Sequence, residues 1–178
     1  MLVNNNITPD YVFMIDAQDG MIKQIADIDT ENYNLIYLPT LSRYVVDKWT
    51  GNKYMALQRG YELSEELASK NDKILFETGG SVSTFAIDVL LRFHCSEIVC
   101  IGLDLAYVDD KRHAGDKDIV EYMDDRLREV ESVNGGKVRT SKNLDNYRKW
   151  IERRLCNREE KDVIIINKSE GAYIKGML

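Results

Sequence analysis

The stretch from Thr78 to Leu103 constrains the fold more than any other part of the chain. It opens on a turn of small residues, Thr78, Gly79, Gly80 and Ser81, and runs into a helical stripe. Val82, Phe85, Ala86, Val89, Leu90 and Phe93 recur at offsets of 0, 3, 4, 7, 8 and 11, the spacing that puts apolar side chains on one helix face. Ile87 and Leu91 widen that face. Asp88 and Arg92, four apart, are expected to pair weakly on the remaining polar side. Residues 98–103, IVCIGL, then form an unbroken apolar run, which predicts an interior parallel strand covered on both faces. A glycine turn, a helix and an apolar strand in that order are half of an α/β unit.

The rest of the chain continues the alternation. Residues 11–15 (YVFMI) and 34–38 (NLIYL) read as short strands, the second stopped by Pro39. Residues 41–49 predict a helical turn or two, and 53–57 a weaker strand. Residues 61–70 predict an amphipathic helix built on Leu63 and Leu67. Asn134, Gly135 and Gly136 sit between two candidate strands and signal a hairpin, exposed because its first strand carries several charges. Leu144, Tyr147, Ile151 and Leu155 recur at 0, 3, 7 and 11, a second clear helix with Thr140 or Ser141 as its cap. Residues 162–166, DVIII, form the last strand. Four or five short strands and four helices in this order predict an α/β fold: an open, mostly parallel Rossmann-like sheet with helices on both faces and a small β-hairpin. The expectation is one domain over residues 1–178, since 178 residues at 44% hydrophobic content suffice for one substantial core.

Charge and cysteine usage narrow the function. Acidic residues outnumber basic ones by 30 to 24, and the resulting −6 disfavours non-specific binding to nucleic acid. Cys95, Cys100 and Cys156 are odd in number and form no CxxC pair, so a reducing, cytoplasmic setting fits better than a disulfide framework. No run approaches ~18 apolar residues, which excludes a membrane-spanning helix. The start, MLVNNNITPD, has neither the basic residues nor the apolar stretch of a signal peptide.

Ligands of open α/β sheets bind outside the carboxyl ends of the strands. Asp16, Asp104 and Glu170 fall at or just after such ends, and two small-residue turns accompany them, Thr78–Ser81 and Ser169-Glu170-Gly171. Gly79 and Gly80 let backbone approach a ligand closely. At the start of a helix they suit a phosphate or carboxylate, though the same residues also make an ordinary tight cap. The turn lacks the lysine of a P-loop and is not the GxGxxG dinucleotide fingerprint. His113 lies in a polar loop among Asp109, Asp110, Lys111 and Arg112, and is either a proton carrier or a solvated side chain. His94 reads as a surface or helix-end residue. The three acids suit a divalent cation beside a diphosphate, or equally strand-end turns that bond their own backbone. No Cys/His spacing indicates zinc. Lys111, Arg112, Lys137 and Arg139 supply positive charge to an anionic substrate, or else a solvated face.

Residues 79–107, GGSVSTFAIDVLLRFHCSEIVCIGLDLAY, resemble the signature of a family of bacterial motility accessory proteins. PDYVFMIDAQ at 9–18, HAG at 113–115, VNGGKVRTS at 133–141 and NKSEGAYIKG at 167–176 extend the resemblance over nearly the whole chain. Such proteins are similar to sialyltransferases that use CMP-sugars, act in placing nonulosonic acids on flagellin, and have an archaeal relative that is a 6-hydroxymethyl-dihydropterin diphosphokinase. The resemblance implies a nucleotide-facing turn at Gly79, Gly80 and Ser81, with Asp104 closing the strand beside it. It implies His113 over the substrate as base or phosphate-side acid, Glu170 and Gly171 as the last wall, and Asp16 with Gln18 at the pocket border. Relatives place a strand and a GxGPSL-like turn ahead of the segment matching 9–18, where this chain has eight residues before Pro9. The expectation is therefore a fragment or shortened member, whose exposed sheet edge favours a homo-oligomer.

Three functional readings follow. The leading one is a glycosyltransferase-like domain binding a nucleotide-sugar donor of the CMP-nonulosonate type, with a protein acceptor such as flagellin. The second is pterin diphosphate transfer from ATP, in which Asp16, Asp104 or Glu170 would hold magnesium. The third is a non-catalytic relative or assembly module.

Overall fold

The computed structural model describes residues 7–93, 95–108 and 127–178. They gather into two compact units, Met1–Val82 and Ser83–Leu178. The class is the expected one, α/β with helices on both faces, parallel pairing in every strand ladder outside one small antiparallel hairpin.

The first unit is built on β1 (Tyr11–Met14), β2 (Asn34–Tyr37) and β3 (Lys53–Met55), in that spatial order and all parallel. Tyr11 pairs with Asn34 and Leu35 with Lys53. A short 3-10 helix, Asp19–Gln24, and α1, Arg43–Lys48, serve as crossovers. Successive residues of β2, Leu35 and Ile36, are 0% and 5% exposed, so both faces of this central strand are covered. Met14, Ile25, Leu41, Val45 and Trp49 complete the core with Leu35. An isolated parallel bridge from Gln58 to Phe76 follows. Between these two residues lies α2, Glu62–Asn71, closed by Asp72 in the left-handed region. Its buried residues are Ser64 and Ala68, while Leu63 is exposed. The expected Leu63 stripe is therefore displaced by one position, toward the small residues Ser64 and Ala68.

The second unit contains α3 (Val82–Arg92, whose first residue falls at the unit boundary), β4 (Glu97–Cys100), β5 (Arg128–Glu131), β6 (Lys137–Thr140), α4 (Lys142–Cys156) and β7 (Ile164–Asn167). β4 and β7 pair in parallel, Ile98 opposite Ile165. β5 and β6 form the predicted hairpin, with Gly135 and Gly136 both at positive φ in its loop. Ser141 caps α4 by accepting the Leu144 N–H. Ile87 and Leu91 of α3 join Ile98, Ile151, Leu155, Val163 and Ile165 in one core.

Two sequence expectations fail here. The apolar run 98–103 is not covered on both faces: Ile98 is buried, but Val99 is 45% and Ile101 82% exposed. The strand ends at Cys100, and its core-facing side carries the packing against α3 and α4. Asp88 does not lie on an exposed polar side; it is 0% exposed. Arg92 Nε reaches one carboxylate oxygen at 3.1 Å, and Arg154 Nε of α4 reaches the other at 2.6 Å. Arg154 in turn donates to Glu160 at 3.2 and 3.3 Å. α3 thus buries nearly its whole circumference and satisfies its one buried carboxylate with guanidinium groups, as a buried charge requires.

Candidate functional site

A polar cluster forms where β4 and β7 end. After Cys100 the chain bends through Gly102 (φ 71°) and Leu105 (φ 49°), which brings residues 102–107 against the segment following β7. Lys168 N–H donates to the Cys100 carbonyl at 2.8 Å, and Leu103 N–H to the buried Ser169 Oγ at 2.7 Å. Glu170 N–H donates to Asp104 Oδ1 at 3.1 Å, and Ala172 N–H to the Asp104 carbonyl at 2.7 Å. Asp104 therefore holds the second loop from both its side chain and its backbone. Gly171 is the residue that makes this approach possible. A Cβ there would overlap the Asp104 carbonyl oxygen and lie 2.6 Å from its carbon and 2.7 Å from its Cα.

The hairpin closes the cluster from the other direction. Val133 N–H donates to the Gly171 carbonyl at 3.1 Å and Tyr173 N–H to that of Glu131 at 2.8 Å. Tyr107 N–H donates to the Arg139 carbonyl at 2.8 Å, and Thr140 Oγ1 to that of Leu105 at 2.7 Å. The stretches 102–107, 131–140 and 169–173 thus form one hydrogen-bonded body at the carboxyl ends of two paired parallel strands, where open α/β folds bind ligands. Asp104 is half-buried and the Glu170 side chain is exposed. Lys137 Nζ is tied across the hairpin to Glu129 at 3.0 Å. Burial pushes the Cys100 thiol up, away from thiolate chemistry.

The remaining site residues fall elsewhere in the chain. In the first unit Gln18 N–H donates to Asp16 Oδ1 at 3.4 Å, a local turn just past β1. The Asp16 carbonyl accepts the N–H of Ser42 at 3.0 Å. The turn ahead of α3 has Gly79 at φ 54° and Gly80 at φ 90°, conformations that side-chain-bearing residues rarely adopt. Thr78 accepts from Gln58 Nε2 at 3.3 Å through its hydroxyl, and from Ser81 N–H at 3.4 Å through its carbonyl. His113, His94, Lys111 and Arg112, with the HAG stretch, lie outside the described residues. Among the described residues no three His, Cys, Asp or Glu side chains gather as a metal-binding group. No described helix is long and apolar enough to cross a membrane.

Sequence reasoning singled out Asp104, Ser169, Glu170 and Gly171, and the fold brings them together. It missed Thr140 Oγ1, read only as a helix cap, and Leu105, whose left-handed backbone nothing in the residue type announces.

The model of the family described as 6-hydroxymethylpterin diphosphokinase MptE-like matches residues 1–110. The solved structure of the MAf glycosyltransferase from Magnetospirillum magneticum AMB-1 superposes with a TM-score of 0.76 at 19% identity. That alignment covers 99% of this chain and 27% of the solved one, so the chain spans about a quarter of that protein's length. No curated protein matches significantly. By the family match, the chain belongs to the 6-hydroxymethylpterin diphosphokinase MptE-like family.

Proposed function

We propose that the chain is a glycosyltransferase-like domain that binds a nucleotide-activated acidic sugar of the CMP-nonulosonate type and passes the sugar to a protein acceptor such as flagellin. The observation that carries this reading is the turn ahead of α3. Two consecutive glycines at positive φ leave backbone without side chains at the positive end of an eleven-residue helix. Such backbone favours a phosphate or a carboxylate, and a CMP-linked acidic sugar has both. The family match includes this turn and Asp104, and the likeness to a glycosyltransferase extends over almost the whole chain.

In this reading an acceptor hydroxyl oxygen attacks the anomeric carbon, the bond from that carbon to the CMP phosphate oxygen breaks, and the electron pair leaves on the phosphate. His113 takes the hydroxyl proton, and the Thr78–Ser81 turn holds the donor so that attack is effectively intramolecular. N–H groups there meet the charge developing on the leaving phosphate. Asp104 acts as a positioning residue for Glu170 and Gly171, and Asp16 with Gln18 borders the donor. Free thiols at Cys95, Cys100 and Cys156 fit a cytoplasmic setting. Calorimetric titration with CMP and a CMP-nonulosonate tests the reading. Saturable heat supports it, and no heat at millimolar ligand overturns it.

The family description favours a second reading, diphosphate transfer from ATP to a hydroxymethylpterin. Among the described residues no three acidic side chains gather as a magnesium site, and this reading therefore ranks second. AMP release that requires both pterin and magnesium, without CMP binding, would establish this reading in place of the first.

A further inference from the structure

A second polar feature stands apart from these residues. The C-terminal half of α4, the loop after it and the last residues of the chain enclose a cleft of about 520 Å³. Its lining includes Lys149, Arg153, Arg158, Lys161 and Lys175, against one acid, Glu152. The chain as a whole carries −6, so this concentration of positive charge runs against the molecule's balance. Much of the cleft's negative potential is already engaged. Glu152 Oε1 accepts from Arg148 at 2.8 Å and from Lys175 N–H at 3.0 Å. The carbonyls at the end of α4, which would repel an anion, are capped as well: Asn157 N–H donates to that of Arg153 at 3.0 Å, and Lys161 Nζ to that of Cys156 at 3.4 Å.

The cations are not equally satisfied. Lys149 is held by Asp145 at 2.7 Å. Arg158 donates through Nη2 to the Val163 carbonyl at 3.2 Å, and its buried Nε meets no acceptor among the described residues. Among the described residues, Arg153 and the Lys175 ammonium make no ion pair and no side-chain hydrogen bond. The Lys175 backbone bond to Glu152 holds these two groups on adjoining walls. Gly176, at φ 97°, keeps the wall free of a side chain beside Leu155. Convergent cations in a concave site raise the local concentration of anions, and the volume falls in the range of small-molecule sites.

We infer that this cleft is a binding site for a small diphosphate-bearing anion, held by Arg153, Arg158 and Lys175. The bound diphosphate supplies acceptors to the exposed Arg153 guanidinium and Lys175 ammonium and relieves repulsion between the cations. Calorimetric titration of the full chain with inorganic pyrophosphate tests the site, in the wild type and in the Arg153→Ala, Lys175→Ala pair. Both side chains are exposed, so the pair leaves folding intact, which a thermal melt verifies. The expected result is saturable pyrophosphate heat that weakens with added salt and falls at least about tenfold in affinity in the pair. CMP titrated alongside separates this cleft from the donor turn, because the pair leaves any CMP heat unchanged. Absence of pyrophosphate heat in the wild type, equal affinity in the pair, or heat with a glutamate-rich peptide and none with pyrophosphate would each overturn the inference.

Discussion

Asp104 and Glu170, 66 residues apart, are joined by a hydrogen bond from the Glu170 N–H to Asp104 Oδ1 at 3.1 Å. The bond fixes the loop after β7 to the loop after β4, and it separates two roles for Asp104 that a single substitution would confuse. Asp104→Ala removes the acceptor and is expected to cost about 1–2 kcal/mol. Asp104→Asn keeps a carbonyl oxygen there and should stay within about 0.5 kcal/mol of the wild type. Urea unfolding of the two variants measures both. If the asparagine variant keeps its stability but loses nucleotide-sugar binding, the negative charge itself serves the ligand.

Gly171→Ala probes the same junction sterically. The added methyl overlaps the Asp104 carbonyl group, and the backbone on both sides is pinned by hydrogen bonds to Asp104 and Val133. The expected loss is about 2–3 kcal/mol, an overpacking cost with little room to relax. Thermal melts of the variant check it, and an unchanged midpoint would mean that the loops separate readily.

Arg154→Leu tests the buried ion network. Asp88 is fully buried and would lose the Arg154 guanidinium while keeping that of Arg92, and Glu160 would lose its guanidinium partner. Breaking one arm of a buried pair is expected to cost about 3 kcal/mol. Replacing Asp88 by leucine in the same chain should recover much of that loss, since an apolar pair needs no compensation. A double-mutant cycle by denaturant unfolding reads the coupling.

Asp145 gives the protein a defined response to acid. Burial alone would raise its carboxyl, but hydrogen bonds and charge from Lys149 and Arg148 outweigh it and hold the group below the ordinary aspartate value of 3.8. A depressed folded-state value means that the stabilisation is complete above pH 3.8 and is lost as pH falls below it toward the folded value. Glu160 follows the same sign: burial opposes ionisation, but Arg154 hydrogen-bonds to the carboxylate and lowers it. Asp145→Asn should therefore be less stable than the wild type at pH 7, with the gap narrowing below about pH 4. Unfolding free energies at the two pH values measure the difference.

The legible parts of this fold are those set by local period and by turn chemistry. The α4 stripe, the Asn134-Gly135-Gly136 hairpin and the short strands β1 and β2 follow from residue spacing alone, because each needs only neighbours a few positions away. Asp104, Glu170 and Gly171 were recognisable as strand-end polar residues by the same logic. What spacing could not reveal was their mutual bonding, since nothing near Asp104 in the chain specifies an acceptor for an N–H 66 residues later. Asp88 shows the same limit. Its place beside Arg92 reads as a surface pair, and only the packing of α4 turns it into a buried carboxylate bonded to Arg154. The apolar run at 98–103 misled for another reason. Hydrophobicity marks a strand as able to be covered, whereas β4 turns Ile98 and Cys100 to the core and leaves Val99 on its other face, and Ile101 beyond its end, exposed.

The central claim is that backbone N–H groups of the glycine turn hold the anionic part of a nucleotide-sugar. Amide resonances followed by nitrogen-15 NMR during a CMP titration test it most directly. The account predicts saturable shifts at Gly79, Gly80 and Ser81, abolished in Gly80→Val. Shifts confined to other residues, or none at saturating CMP, would contradict it.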